Sequence, residues 1–326
     1  MVGDESAEPS SASVGESRPS GRLSRLYAAT RRTPSPRTQR VLLIVAALVF
    51  FVGGWYALRS LDVAFEDIRW VPLLVAGVVG VPLTQLANTF EYVLSARMLG
   101  HRVAFMPAVQ LTTVATAANL LPIPGAFLVR VQGLRTMGSH YRGALASTAV
   151  IGLAWIGVSA LLAAVLLAVS GSWVPAVILG AAGVPLLVVA HAWLTRAVPV
   201  RAERRRLAAL ILAVELFAVV TNAGRLVLIL VALGVEASLG QALVLAVSSS
   251  LAAAAGILPG GFGLRELIAA ALAPLVGLPA SAGFAATAIN RVIGIVVLAP
   301  VTVALALRSQ PRSESADTVA ETDRVA

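Results

Sequence analysis

The sequence contains no cysteine and no lysine, and it is poor in charged residues of either sign. The missing cysteines exclude disulfides, thiolate metal sites and cysteine nucleophiles. The 3 histidines (His101, His140 and His191) are dispersed, and no aspartate occurs between Asp67 and Asp317. We therefore expect neither a metal cluster nor a Ser-His-Asp triad, and we expect no cofactor.

Apolar residues take the place of the missing charges. Hydrophobic residues make up 58% of the 326-residue chain and charged residues 13%, and the mean hydropathy is +0.87. Soluble domains contain about 25% charged residues. The composition predicts an all-α polytopic membrane protein. The net charge of +9 comes mainly from arginines in loops beside apolar runs, so it indicates topology rather than a nucleic-acid partner.

Six apolar runs have about the length that a bilayer core requires, roughly 20 residues. The predicted full transmembrane helices are Val41–Leu58, Val71–Leu99, Gly143–Val169, Trp173–Trp193, Leu207–Leu233 and Ser281–Leu307. Arginine-rich flanks place both termini in the cytoplasm and the protein in the cell membrane. The strongest flank holds Arg196, Arg201, Arg204, Arg205 and Arg206. Residues 1–40, which are basic and cytoplasmic, and residues 308–326 are predicted to be disordered tails.

Two further apolar regions are interrupted by proline and glycine. Ala104–Leu121 and Ala126–Met137 flank the first break, and Ala237–Gly256 and Leu264–Val276 flank the second. At least one arm of each pair is too short to cross a bilayer, so we predict two re-entrant helical hairpins. Irregular backbone at membrane depth is tolerated only against protein or in a wet cavity, which favours a functional site there.

The two interrupted regions resemble each other in sequence. Pro124-Gly125-Ala126-Phe127-Leu128-Val129-Arg130 aligns with Pro259-Gly260-Gly261-Phe262-Gly263-Leu264-Arg265, and Asn88 aligns with Asn222. The spacing predicts a duplication, with repeat one at about 71–193 and repeat two at about 207–307. Because three predicted crossings separate the hairpins, the second copy is inverted, and transporters with inverted repeats bind substrate at the repeat interface.

Charged residues at membrane depth indicate a ligand site. Arg265 and Arg130 are the predicted head-group ligands, because a guanidinium stays ionised and binds phosphate through two hydrogen bonds. Free amides at the breaks, together with the positive end of the following helix, add an anion cradle. The further candidate ligands are Glu266, Arg291, Arg225, Asn119 and Asn222, and the hinge and cradle residues are Pro259, Gly260, Gly261, Gly263, Pro122, Pro124 and Gly125.

Each of these residues has a structural alternative. Arg265 could form an ion pair with Glu266, Glu215 or Glu91, and Arg225 or Arg291 could neutralise one of the last two. The three asparagines Asn88, Asn222 and Asn290 are suited to interhelical hydrogen bonds worth around 1 kcal/mol. Glu91 and Glu215 are also candidate proton carriers.

The stretch from Pro259 to Glu266, followed by Gly277 and a helix bearing Arg291, resembles a known signature. It is similar to the second motif of the flippase-like family named after the transmembrane region of lysylphosphatidylglycerol synthase, the multiple peptide resistance factor. The stretch from Asn119 to Arg130 resembles the first motif, although Ala126-Phe127 replaces the usual Gly-Glu pair. The resemblance covers roughly residues 41–307 and implies movement of charged or glycosylated lipids between leaflets. Because the synthase's cytosolic aminoacyl-transfer domain has no counterpart here, we expect the flippase-type module alone.

The expected function is non-enzymatic transfer of a phospholipid or a polyprenyl-phosphate-linked lipid between leaflets. The expected partner is that lipid, and a second copy of the chain or a synthase or transferase could be a further partner. One alternative is a secondary transporter of a small soluble anion. Another is a membrane-embedded transferase acting on a lipid-linked donor, for which only Glu91, Glu215 and Glu266 could serve as general bases.

Overall fold

The computed structural model describes residues 36–62, 64–118, 125–198, 200–255 and 263–308, and these are helical with no strand. The chain from Leu42 onward forms one compact unit, and Met1–Val41 forms another, of which only Pro36–Val41 is described. The helices of the described chain are α1 Pro36–Ser60, α2 Trp70–Met98, α3 Phe105–Ala118, α4 Gly125–Thr136, α5 Tyr141–Val169, α6 Trp173–Ala197, α7 Arg201–Ala232, α8 Leu239–Ala255, α9 Leu264–Leu272 and α10 Ala280–Arg308. A π-turn, Ala76–Gly80, interrupts α2, and a 3-10 turn, Ala273–Val276, extends α9.

Among the described helices, five are long and apolar enough to cross a membrane: α2, α5, α6, α7 and α10. They confirm five of the six predicted spans and the class of polytopic helical membrane protein. The sixth predicted span, Val41–Leu58, lies within α1, where the apolar part Ala47–Ser60 is shorter than the other five.

Two segments predicted to lie outside helices are helical. α1 begins at Pro36 rather than Val41, because proline is well suited to the first turn of a helix and arginine and glutamine are good helix formers. α7 begins at Arg201 rather than Leu207. Most of the arginine-rich flank therefore lies in the first turns of α7. The rest of the two predicted tails, residues 1–35 and 309–326, lies outside the described residues.

The antiparallel pair of α2 and α7 forms the centre of the structure. At one end, the backbone N–H of Arg69, next to α2, donates to the carbonyl of Ala232 over 3.0 Å. At the other end, Leu94 of α2 and Ile211 of α7 belong to one buried cluster. The end of each helix therefore meets the start of the other, and both helices place their midpoints in the interior.

The short helices pack in pairs against this centre, α3 with α4 and α8 with α9. α3 has 14 residues, α4 has 12 and α9 has 9, so at 1.5 Å per residue none exceeds about 21 Å. α3 also contacts α10, and α8 also contacts α5. The ends of α3 and α4 approach closely, because a Cβ atom on Gly125 would lie 2.8 Å from that of Ala118.

Candidate functional site

In the part of the chain that the structure describes, the buried carboxylates and the arginines beside them fall into two clusters, one on each side of Val219 along α7. Arg225 and Glu215 are ten positions apart in the sequence, which is about 15 Å along a helix. The basic cluster, as we name it, contains Arg225, Arg265, Glu266 and Arg291, with Asn222 and Asn290. The acidic cluster contains Glu91, Arg130 and Glu215, with Asn88.

An ion pair between α9 and α10 lies in the basic cluster. Nε of Arg291 donates to Oε1 of Glu266 over 3.0 Å. The Glu266 side chain is 0% exposed and that of Arg291 is 10% exposed. Glu266 is therefore paired with Arg291 rather than with its sequence neighbour Arg265.

Arg225 is held by neutral groups. Its Nη2 donates to the backbone carbonyl of Asn290 over 3.1 Å, and its Nη1 donates to Oγ1 of Thr84 over 3.3 Å. The stem of Arg225 crosses Gly80 of the π-turn so closely that a Cβ atom there would lie 2.8 Å from its Cδ. No described carboxylate forms a hydrogen bond or ion pair with Arg225.

Arg265 has two unpartnered nitrogens in the basic cluster, whereas Arg225 has one, its Nε. The Nε and Nη2 atoms of Arg265 are buried and have no hydrogen-bond partner. Arg265 lies within electrostatic range of Arg291, Glu266 and Arg225. Across the described residues, the cluster thus places three guanidinium groups around one carboxylate that is already paired, and the excess charge is positive.

The start of α9 adds to this positive region. Gly263 precedes the helix with φ of 75°, a conformation that favours glycine, and no side chain caps the helix. The first backbone N–H groups of a helix have no partner within it, and the helix dipole is positive at that end. Arg265 is the second residue of α9, so the helix end and the guanidinium belong to the same region.

The acidic cluster has the opposite balance. Nη1 of Arg130 donates to Oε2 of Glu91 over 2.7 Å, and Nη2 donates to Oδ1 of Asn88 over 3.3 Å. Glu215 is 0% exposed, and neither of its carboxylate oxygens has a hydrogen-bond partner. It interacts electrostatically with Glu91 and Arg130. The acidic cluster therefore contains two carboxylates and one guanidinium, which bonds to Glu91.

The structure brings together five of the predicted ligands: Arg265, Glu266, Arg291, Arg225 and Asn222. The predicted interhelical bond involving Asn222 is present, because Nδ2 of Asn290 donates to its Oδ1 over 3.0 Å. Arg130 pairs with Glu91 rather than joining Arg265, so the two predicted head-group arginines are in different clusters. Of the predicted hinge and cradle residues, only Gly125 and Gly263 are described. Asn119, Pro122, Pro124, Pro259, Gly260 and Gly261 lie outside the described residues.

Sequence reasoning missed a polar network between α2 and α3. The Gln85 amide nitrogen donates to Oγ1 of Thr112 over 2.9 Å, and Oγ1 of Thr116 donates to the Gln85 amide oxygen over 3.2 Å. Thr89 and Thr112 are 3.1 Å apart through their hydroxyl oxygens. The signal was three threonines at helical spacing in an apolar run, Thr112, Thr113 and Thr116, which together with Gln85 mark a buried polar contact.

The fold and the two clusters define the class of the chain, a helical membrane protein with ionisable groups buried among its spans. No protein-family model matches the chain, and no curated protein matches its sequence.

Proposed function

We propose that this protein moves a phosphate-bearing lipid between membrane leaflets and binds the phosphate in the basic cluster. The observation that carries this proposal is the pair of buried, unpartnered nitrogens on Arg265, beside Arg225 and Arg291. A phosphate accepts parallel hydrogen bonds from a guanidinium, and such charge-assisted bonds are about twice as strong as neutral ones. The geometry therefore favours an anion with several oxygens.

The energetics favour the same ligand. A charged side chain at the centre of a bilayer costs about 3 kcal/mol on insertion scales. Of the three arginines in the basic cluster, only Arg291 has a carboxylate partner, Glu266. A bound phosphate would neutralise the excess positive charge of the arginines, whereas a neutral ligand would leave that positive charge uncompensated.

The matched packing of the short helices supports an inverted repeat. If α3 corresponds to α8, α4 to α9 and α5 to α10, the contact of α3 with α10 has a counterpart in the contact of α8 with α5. The pairs α3–α4 and α8–α9 correspond in the same way. The central helices α2 and α7 are antiparallel, as a two-fold axis in the membrane plane requires. The short helices and the two Pro-Gly breaks fit re-entrant hairpins.

A lipid is favoured over a soluble anion by the resemblance of Pro259–Glu266 to the flippase-like family. In a lipid flippase the head group passes through a polar crevice while the acyl tails stay in the bilayer. A transferase is less well supported, because two of its three candidate bases, Glu266 and Glu91, are each held by an arginine, and the third, Glu215, is 0% exposed and outside the basic cluster. Neither Glu266 nor Glu91 is therefore free to act as a general base.

The test is mass spectrometry of the lipid retained by the purified full chain, comparing wild type with Arg265→Gln. We expect a phosphate-bearing lipid to be enriched in the wild type and reduced at least tenfold in the variant, since a hydrogen-bonded charge pair is worth about 1.5–3 kcal/mol. The matched control is Arg205→Gln, an exposed arginine in the first turns of α7, which should retain the lipid.

Transport assays separate the remaining alternatives. In proteoliposomes, the proposal predicts transfer of a labelled phospholipid between leaflets that Arg265→Gln abolishes. Uptake of inorganic phosphate without lipid transfer would identify a soluble-anion transporter instead. Equal lipid retention by wild type and Arg265→Gln would make Arg265 a structural residue and overturn the proposal.

A further inference from the structure

Glu215 is a buried acid that the phosphate site does not use. Its carboxylate is 0% exposed, and both oxygens lack a hydrogen-bond partner. An isolated charge in an apolar interior is very unfavourable, so buried carboxylates are normally paired or neutralised. Glu215 lies near the middle of the 32-residue helix α7, far from either aqueous end.

The antiparallel packing places Glu215 near Glu91. Leu94 of α2 and Ile211 of α7 share a buried cluster. One helical turn toward the start of α2 leads to Glu91, and one turn toward the end of α7 leads to Glu215. Because the helices run in opposite directions, these two steps go the same way along the pair, and Glu215 lies within electrostatic range of Glu91.

The surroundings of Glu215 contain few charges that could neutralise it. The charged groups that act on it are Glu91 from α2 and Arg130 from α4. α5 has no charged residue or histidine after Arg142, and α8 has none. α6 and α10, which also contact α7, bear His191, Arg196, Arg291 and Arg308, and Arg291 is paired with Glu266. On α7 itself, the adjacent charges are Arg206 and Arg225.

Arg130 is already committed to Glu91. The 2.7 Å bond to Glu91 and the 3.3 Å bond to Asn88 use one N–H of each terminal nitrogen of Arg130, and its Nε is buried without a hydrogen-bond partner. One carboxylate of the acidic cluster is therefore in excess. A single positive charge delivered to Glu215 would balance the cluster, and two carboxylates would compete for Arg130 without it.

A proton fits this position better than a metal ion. Calcium and magnesium take about six oxygen ligands or more. Within the described part of the chain, no group of three or more histidine, cysteine, aspartate and glutamate side chains is placed to hold a metal. A proton needs only one carboxylate oxygen, and Glu215 offers two that are unoccupied by hydrogen bonds.

We propose that Glu215 binds and releases one proton during the transport cycle and thereby controls whether Arg130 pairs with Glu91. When Glu215 is protonated, Arg130 bonds to Glu91 as in the structure. When the proton leaves as a hydronium ion, the new carboxylate competes for Arg130 and pulls α4, the helix that follows the first Pro-Gly break. The coupling to transport rests on the proposed function, but the protonation of Glu215 does not.

The experiment is infrared difference spectroscopy of the purified full chain during a step to alkaline pH. A protonated carboxyl group has a carbonyl stretch that disappears when the proton is released. We expect the wild type to show this loss and Glu215→Gln to lack it. Glu203→Gln, which changes an exposed glutamate at the start of the same helix, should behave like the wild type. Because glutamine has the shape of a protonated glutamate, the main variant should fold.

A second variant tests the role of Arg130. Glu91→Gln removes the competing carboxylate, so Arg130 can pair with Glu215, and the carboxyl band at neutral pH should be lost. A band that persists in Glu215→Gln, or that is absent from the wild type at every pH, would overturn the proposal. A band that persists in Glu91→Gln would refute the competition for Arg130.

Lipid retention separates this proposal from the proposed function. If the wild type shows the Glu215 band but Arg265→Gln retains as much phosphate-bearing lipid as the wild type, the proton site stands and the phosphate site fails. If both measurements succeed, transfer in proteoliposomes should respond to an imposed pH gradient in the wild type. In Glu215→Gln that response should be lost, and an unchanged response would refute the coupling.

Discussion

Glu266 is the only carboxylate in the basic cluster, and its two oxygens have different surroundings. Oε1 accepts the 3.0 Å bond from Arg291, whereas Oε2 is buried and has no hydrogen-bond partner. A buried ion pair can be close to neutral for stability, but removing one partner leaves an uncompensated charge. Each residue of this pair therefore contributes to stability mainly by neutralising the charge of the other.

This asymmetry predicts the effect of Glu266→Gln on stability. The substitution leaves one buried and two half-buried arginines with no carboxylate among them, and we expect the free energy of unfolding to fall by about 3–5 kcal/mol. The measurement is unfolding in detergent followed by tryptophan fluorescence. The control is Glu203→Gln, which changes an exposed residue and should have little effect.

A double variant checks that the loss comes from the pair. Glu266→Gln with Arg291→Gln should lose less stability than the sum of the single variants, because residues in contact are not additive. A stability of Glu266→Gln equal to that of the wild type would contradict the ion pair.

At the scale of the element, the π-turn of α2 positions Arg225. The turn ends at Gly80, over which the Arg225 stem passes on its way to Thr84 and Asn290. Single-turn π-bulges in α-helices occur frequently at functional sites. In this protein the turn and its glycine provide the room for a charged side chain between two closely packed helices.

Gly80→Ala tests this arrangement. In a helix, Gly→Ala alone should stabilise by about 1 kcal/mol. Here the new methyl group would lie 2.8 Å from Cδ of Arg225 and would displace that side chain. We therefore expect lower stability in the same unfolding assay, together with reduced retention of the phosphate-bearing lipid.

Gly224→Ala is the matched control, because Gly224 is next to Arg225 and a Cβ atom there meets nothing within 4 Å. It should be neutral or stabilising. Equal behaviour of the two variants would show that the Arg225 stem does not depend on Gly80.

At the scale of the whole molecule, the proposed inverted repeat has a consequence for topology. An odd number of crossings between the two copies places the segments that follow the two hairpins on opposite faces of the membrane. These segments begin near His140 and Ala280, which are both exposed. The native chain has no cysteine, so a thiol reagent would label only a single cysteine introduced by substitution.

We therefore predict that His140→Cys and Ala280→Cys react with a membrane-impermeant maleimide from opposite sides. In intact cells, only Ala280→Cys should be labelled, and both should be labelled after permeabilisation. Labelling of both from the same side would rule out the inversion.

Much of the fold was predictable from local sequence. The predicted start of α6 at Trp173 is the observed one, and the predicted α2, Val71–Leu99, is within one residue of Trp70–Met98 at each end. Hydropathy predicts these positions because burial in a bilayer depends on each stretch of chain by itself. The start of α7 was missed because arginines favour a helix as well as a loop.

The sequence by itself determined that the chain is a helical membrane protein and that charged residues lie within its apolar helices. Only the tertiary structure decided which charges meet. Glu91 pairs with Arg130 across 39 residues, and Arg225 reaches Thr84 across 141. The sequence offered Glu266, Glu215 and Glu91 as equivalent partners for Arg265, and none of them forms a hydrogen bond with its buried nitrogens. Helix packing selects among such partners, because it fixes which faces of distant segments touch, and local hydropathy contains no information about that choice.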